Sequence, residues 1–186
     1  KSLSNRLGLD AFKLFKKSHF AIFFIFAMFL GAALQLTNAY GDTFLQDFKF
    51  QDQYKDLLAV KYPAIIMSIS QISETLFILT IPFFMKRFGI KQVMIFSMVA
   101  WVLRFALFAY GDPGAGLWLI VSSCIIYGMA FDFFNISGSL FIETSTNQGI
   151  RSSAQGLFTM MVNGVGAVLG SLISGKVIEL YFTENN

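Results

Sequence analysis

Five stretches of this chain run for about twenty residues or more with almost no charge, and that pattern limits its fold more than any other feature. They extend from about His19 to Tyr40, Val60 to Met85, Ile90 to Tyr110, Gly116 to Ile142 and Ser152 to Phe182. A helix that crosses a bilayer needs about 20 mostly apolar residues, so each is long enough to span. The fifth is longer than a bilayer core requires and is expected to tilt or to project into water. Composition points the same way: 55% of the 186 residues are hydrophobic and only 13% are charged, against about 25% charged in a typical soluble domain. Backbone groups inside lipid must be satisfied within the segment, which favours helices. The expected fold class is all-α, a polytopic membrane bundle of about five helices.

The connectors support this division. Lys86 to Gly89 forms a short basic turn, and Gly111-Asp112-Pro113-Gly114 is a strong turn signal. The one long connector, Gly41 to Ala59, is polar and rich in aspartate. Lys1, Arg6, Lys13, Lys16, Lys17, Lys86, Arg87, Lys91 and Arg151 all fall on one side of a five-span topology. Lys49, Lys55 and Lys61 fall on the other, offset by Asp42, Asp47, Asp52 and Asp56. The basic side is read as cytoplasmic. Residues 1–18 are then a cytoplasmic linker or a short amphipathic helix on the membrane surface, with Leu7, Ala11, Leu14 and Phe15 on one face. This charged opening lacks the apolar core of a signal peptide, and it reads as the start of a cut piece. Residues 19–186 then read as a transmembrane half that lacks its last helix, since many transporters pack two six-helix halves around one axis.

Composition excludes several functions. The single cysteine, Cys124, rules out an internal disulfide and a multi-cysteine metal site. No metal site and no cofactor are expected. No basic patch interleaves with aromatics on a polar face, so nucleic acid is not an expected partner. An intramembrane enzyme is the rival class. Yet the one histidine, His19, sits at a membrane edge, and no serine has a histidine base nearby. A scaffold would not need carboxylates and amides on four helices.

Those polar residues are the informative ones, because an ionisable group inside a bilayer is expensive and usually faces a cavity or a partner. Glu74 lies mid-span, with Gln71 and Ser70 three and four residues before it on the same side. It is either a functional carboxylate or a protonated carboxyl bonded to a neighbouring helix. Asp132 lies in the middle of the fourth span, with Asn135 and Ser139 continuing a polar stripe. Tyr127 and Phe131, four apart, form an adjacent aromatic stripe, either packing or a stacking wall for a flat solute. Gln35 and Asn38 in the first span either meet headgroups or pair with a solute's edge. Arg104 either snorkels outward or pairs with a carboxylate such as Asp132, and a structural role is expected for it. In the fifth span Gln155, Thr159 and Asn163 form another polar stripe, and Gly166, Gly170 and Ser174 permit close helix contact.

Several runs are distinctive: Leu34–Gly41 (LQLTNAYG), Val60–Pro63 (VKYP), Ser70–Glu74 (SQISE), Trp101–Pro113 (WVLRFALFAYGDP), Tyr127–Gly138 (YGMAFDFFNISG) and Arg151–Gly156 (RSSAQG). Together they resemble the second half of bacterial nucleoside/proton symporters of the major facilitator superfamily, from about Ala11 to Tyr181. The connector Lys86–Lys91 (KRFGIK) is similar to the superfamily's loop between helices eight and nine, but has Lys86 where an acidic residue is usual. The resemblance implies that the spans are helices seven to eleven of twelve, in a bacterial inner membrane, with an absent N-terminal half completing the cavity. It implies that Gln35, Asn38, Gln71, Glu74, Tyr127, Phe131 and Asp132 bind nucleoside. Proton coupling needs a carboxyl whose proton affinity changes between states, and Glu74 and Asp132 are the two mid-span candidates. The implied partners are nucleoside, proton and membrane lipid. Sugar/proton symporters use similar groups, so a saccharide is the alternative solute.

Overall fold

The computed structural model describes residues 9–182, with side chains to residue 180. Lys1, Arg6 and Leu7, used above, lie outside the described residues. The described residues form helices joined by turns, with no strand among them. Four helical runs are long and apolar enough to cross a membrane: Ser18–Phe50, Pro63–Tyr110, Leu117–Ser145 and Gln148–Leu180.

The second run is two helices. At 1.5 Å per residue its 48 residues would make a rod of roughly 72 Å, far longer than a bilayer is thick. Gly89 breaks it, with φ 78° and ψ 168°, a conformation costly for any residue with a Cβ. Phe84 and Phe96 flank the break, and their rings approach to 6.4 Å. Twelve residues along one straight helix would hold them roughly 18 Å apart, so the chain reverses at Gly89. The helices are therefore α1 (Ser18–Asp47), α2 (63–88), α3 (90–110), α4 (Leu117–Ser145) and α5, which runs as Gln148–Thr159, a π-helical segment Met160–Gly166, and Ala167–Phe182. A 3-10 helix, Leu9–Lys16, precedes α1.

The boundaries differ from expectation mainly at α1, which continues past Tyr40 to Asp47. No proline interrupts that stretch. Leu45 is fully buried, Phe44 meets Phe108 edge-on at 5.4 Å, and Gly41 lies against Met67, so packing carries the helix onward. Asp42 and Asp47 thus belong to the helix. The connector shrinks to residues 48–62, with one 3-10 turn at Phe48–Phe50 and one helical turn at Leu58–Lys61. In it Lys61 pairs with Asp56 at 2.9 Å, which holds the Asp56 carboxyl below its usual range and the Lys61 amine above it. Both are solvent-exposed, so the pair contributes little. Pro63 starts α2 where its missing N–H is harmless. The connector and Lys86 lie at opposite ends of α2, roughly 36 Å apart along its axis. Asp112 caps the start of α4 by accepting hydrogen bonds from the Gly114 and Gly116 amides, at 2.7 and 3.0 Å.

The chain forms two compact units. One comprises residues up to Ala39 and from Phe141 onward. Its core is aromatic: Phe23 stacks with Phe158 at 5.3 Å and tilts against Phe141 at 4.8 Å. Ala11 and Leu14 of the 3-10 helix are buried, and that helix packs against Gln148–Thr159, so protein covers its apolar face. Small residues bring α1 and α5 into backbone contact. A Cβ on Gly31 would strike the Val162 carbonyl, and one on Gly170 would lie 2.7 Å from the Ala32 carbonyl oxygen.

The other unit, Tyr40–Leu140, holds α2, α3 and most of α4. Leu45, Ala59, Ile66, Ile120 and Cys124 form one apolar cluster, and Ile81, Val93 and Phe133 form a second. Three serines tie the helices to one another's backbones. Ser73 donates to the Ile125 carbonyl, Ser97 to Ala130 at 2.6 Å, and Ser123 to Arg104 at 3.0 Å. In lipid, interhelical hydrogen bonds and close packing replace the hydrophobic effect as the force between helices. Gly128 allows the tightest of these contacts, since a Cβ there would lie 2.5 Å from the Ser73 carbonyl carbon. Gly128→Ala is therefore expected to lower stability by about 1–3 kcal/mol through forced separation of α2 and α4. Thermal unfolding in detergent reads this, and an unchanged midpoint would contradict it.

Candidate substrate and proton site

The second unit brings four of the expected residues into one neighbourhood. Glu74, half-buried on α2, lies within side-chain hydrogen-bonding reach of the Tyr127 hydroxyl on α4. Tyr127 and Phe131 follow one another by one helical turn, with rings 5.8 Å apart and nearly parallel at 9°. Asp132 is 5% exposed, lies within electrostatic range of Glu74 and Tyr127, and has no hydrogen-bond partner for Oδ2 among the described residues. Asn135 donates to the Phe131 carbonyl at 3.1 Å, which fixes its amide along α4. Gln71 is exposed one turn before Glu74 on α2. Gln35 and Asn38 belong to the other unit, three residues apart on α1, Gln35 half-buried and Asn38 exposed.

Arg104 makes structural contacts, though neither by snorkelling nor by pairing with Asp132. It does not snorkel, since only 1% of it is exposed. Among the described residues no ion pair joins it to Asp132. Its Nη1 donates to the Ser123 carbonyl at 3.0 Å, while the Ser123 hydroxyl donates back to the Arg104 carbonyl at the same distance. The guanidinium lies over the Tyr127 ring at 4.3 Å and over the Phe108 ring at 5.3 Å. A desolvated cation over an aromatic face contributes about 2 kcal/mol. Trp101, one turn before Arg104, meets Tyr127 edge-on at 5.8 Å.

These contacts change what Tyr127 can offer. Arg104 covers one face of its ring and the side chain is buried, so it presents chiefly a hydroxyl, directed to Glu74. Phe131, half-buried, is the freer aromatic surface. Trp101 and Arg104 were missed as site residues. The signal was present: a lone cation three residues after a tryptophan in an apolar span shares its helix face. The neighbourhood thus joins two carboxyls, one cation, one phenol and an aromatic wall. Such a set can accept from hydroxyls, donate to carbonyls, contact a flat ring and hold or release a proton. Among the described residues, no group of three His, Cys, Asp or Glu could hold a metal ion.

The chain is 60% identical to the nucleoside permease NupG of Escherichia coli over 99% of its length, and 59% identical to the xanthosine permease of the same organism over 98%. It spans 44% of the length of each. Its fold superposes on a crystal structure of a mutant of the nucleoside transporter NupG with a TM-score of 0.94 at 59% identity, covering 99% of this chain and 46% of that one. A second crystal structure of NupG gives a TM-score of 0.90. These relatives are permeases, which sets aside the intramembrane-enzyme class. The family model described as the nucleoside H+ symporter matches residues 1–186, and the chain therefore belongs to the nucleoside H+ symporter family.

Proposed function

We propose that this chain is part of a transporter that imports nucleosides together with protons across a bacterial inner membrane. The observation that carries this reading is the grouping of Glu74, Tyr127, Phe131 and Asp132 inside apolar helices, where isolated polar groups would be costly. In this reading Gln71 meets the hydrogen-bonding edge of the base, a role that the resemblance also implies for Gln35 and Asn38. Phe131 contacts its face, and the carboxyls accept from ribose hydroxyls. Glu74, beside the Tyr127 hydroxyl, carries the coupling proton, with Asp132 as the second candidate. The xanthosine and nucleoside permeases among the relatives favour a nucleoside over a saccharide.

We also read the chain as the second of two halves, with residues 1–18 on the cytoplasmic side. The order of the motifs and the basic residues of the opening and of the α2–α3 turn support this. Alternating access needs two halves around one site, so vesicles containing only this chain are expected to take up no nucleoside. Vesicles containing the complete protein should take up radiolabelled nucleosides, driven by an inward proton gradient, and no sugar. Uptake by the isolated chain would refute the division into halves. Sugar uptake by the complete protein in place of nucleoside would refute the substrate.

A further inference from the structure

Arg104 holds more hydrogen-bonding capacity than its surroundings use. A guanidinium carries five N–H donors and is charged at any accessible pH. Its Nη1 reaches the Ser123 carbonyl, and its flat face is covered by Tyr127 and Phe108. Nε and Nη2 have no hydrogen-bond partner among the described residues. These two atoms form one edge of the guanidinium, with N–H bonds that run parallel. A carboxylate takes that edge with both of its oxygens. A buried fork left empty is strongly unfavourable, so a state of the protein that fills it would be favoured over one that does not.

The groups around it narrow the choice. From α2 comes Glu74, and from α4 come Cys124 and Tyr127, with Ser70 of α2 beside Cys124. The Cys124 thiol is within reach of Arg104, but a thiol is a weak acceptor. Tyr127 presents its ring to the cation and its hydroxyl to Glu74. Glu74 is the carboxyl that interacts electrostatically with Arg104, whereas Asp132 interacts with Glu74 and Tyr127.

We infer that Arg104 is the positioning residue for proton release, its open fork receiving the Glu74 carboxylate once that group has given up its proton. This rests on the proposed coupling role of Glu74. While protonated, the carboxyl stays with the Tyr127 hydroxyl. On release its O–H bond breaks, water takes the proton, and the negative charge moves to Nε and Nη2. No other bond changes. The filled fork makes the deprotonated, empty carrier a stable state from which the next cycle begins.

The test uses the complete transporter in proteoliposomes. Two rates are measured: exchange of nucleoside for nucleoside at equal pH on both sides, and net uptake driven by a pH gradient. Exchange needs no net proton release, and net uptake does. In Arg104→Gln, net uptake is expected to fall about tenfold further than exchange, and its pH profile should move toward higher internal pH. Arg104→Lys, which keeps the charge without the fork, should recover part of net uptake. Equal losses in both rates, with an unmoved pH profile, would overturn the inference. If Arg104→Gln fails to reach the membrane, the same two rates are read in Arg104→Lys, where net uptake should still fall further than exchange. Equal losses there also overturn it. A wild-type protein that takes up no nucleoside would refute the proposed function itself, and that control is read before any Arg104 variant.

Discussion

Glu74→Gln in the complete transporter is expected to abolish accumulation of nucleoside against its gradient, with at least a roughly tenfold loss of proton-driven uptake. Glutamine matches glutamate in volume and still accepts a hydrogen bond from the Tyr127 hydroxyl. The half-buried neighbourhood on α2 should therefore fold as before. It loses only the group that can carry a proton. Uptake is measured with and without an imposed pH gradient, alongside the amount of protein in the membrane. Wild-type uptake driven by the gradient would leave the binding residues standing and move the coupling role to Asp132 or to the other half. Loss of folded protein would show instead that the carboxyl is structural.

Tyr127→Ala is expected to have the broadest effect of any single change in this region. The ring touches Trp101 by its edge, stacks beside Phe131, and carries the Arg104 guanidinium on its face. Its hydroxyl lies within side-chain hydrogen-bonding range of Glu74. Removing a buried aromatic ring destabilises by about 3–5 kcal/mol, and here it also frees a cation and a carboxyl from their shared neighbour. Nucleoside affinity should fall by about tenfold or more in whatever fraction folds. Tyr127→Phe separates the two roles: it should keep stability and binding near normal while impairing the proton-driven component. Phe131→Leu should be milder than Tyr127→Ala, because apolar bulk remains. Isothermal titration and thermal unfolding of the purified variants read both effects. Unchanged affinity in Tyr127→Ala would remove Tyr127 from the site.

The helices were legible because the physics that sets them is local. Lipid demands long apolar runs with internally bonded backbones, and Gly89 and Asp112 mark their turns as local signals do. The end of α1 was not legible. Gly41, Asp42 and Asp47 read as a polar loop, and only the distant contacts of Leu45 and Phe44 extend the helix through them. That Glu74 and Tyr127 belong to one neighbourhood was expected from the resemblance and not from spacing, since the two lie on different helices; their proximity to each other was not foreseen. The partners of Arg104 were hidden for the same reason. A structural role was expected for it, and only the fold reveals Ser123 and the Tyr127 ring beside it. The polar stripes on α2 and α4 were visible as stripes, but which aromatic face stays open depended on a third helix.

The turn at Gly89 has a mechanical consequence. A single residue joins α2 to α3, and Phe84, Phe88 and Phe96 clamp the two helices just beyond it. The joint is short and packed, so a rocking motion of the proposed transporter would carry the two helices together. Glu74 lies on one of them and Arg104 on the other, so such a motion would change their separation little. On the proposed coupling role of Glu74, side-chain rotation would then decide whether the carboxyl faces the cation, and the proton rather than the helix movement would throw that switch.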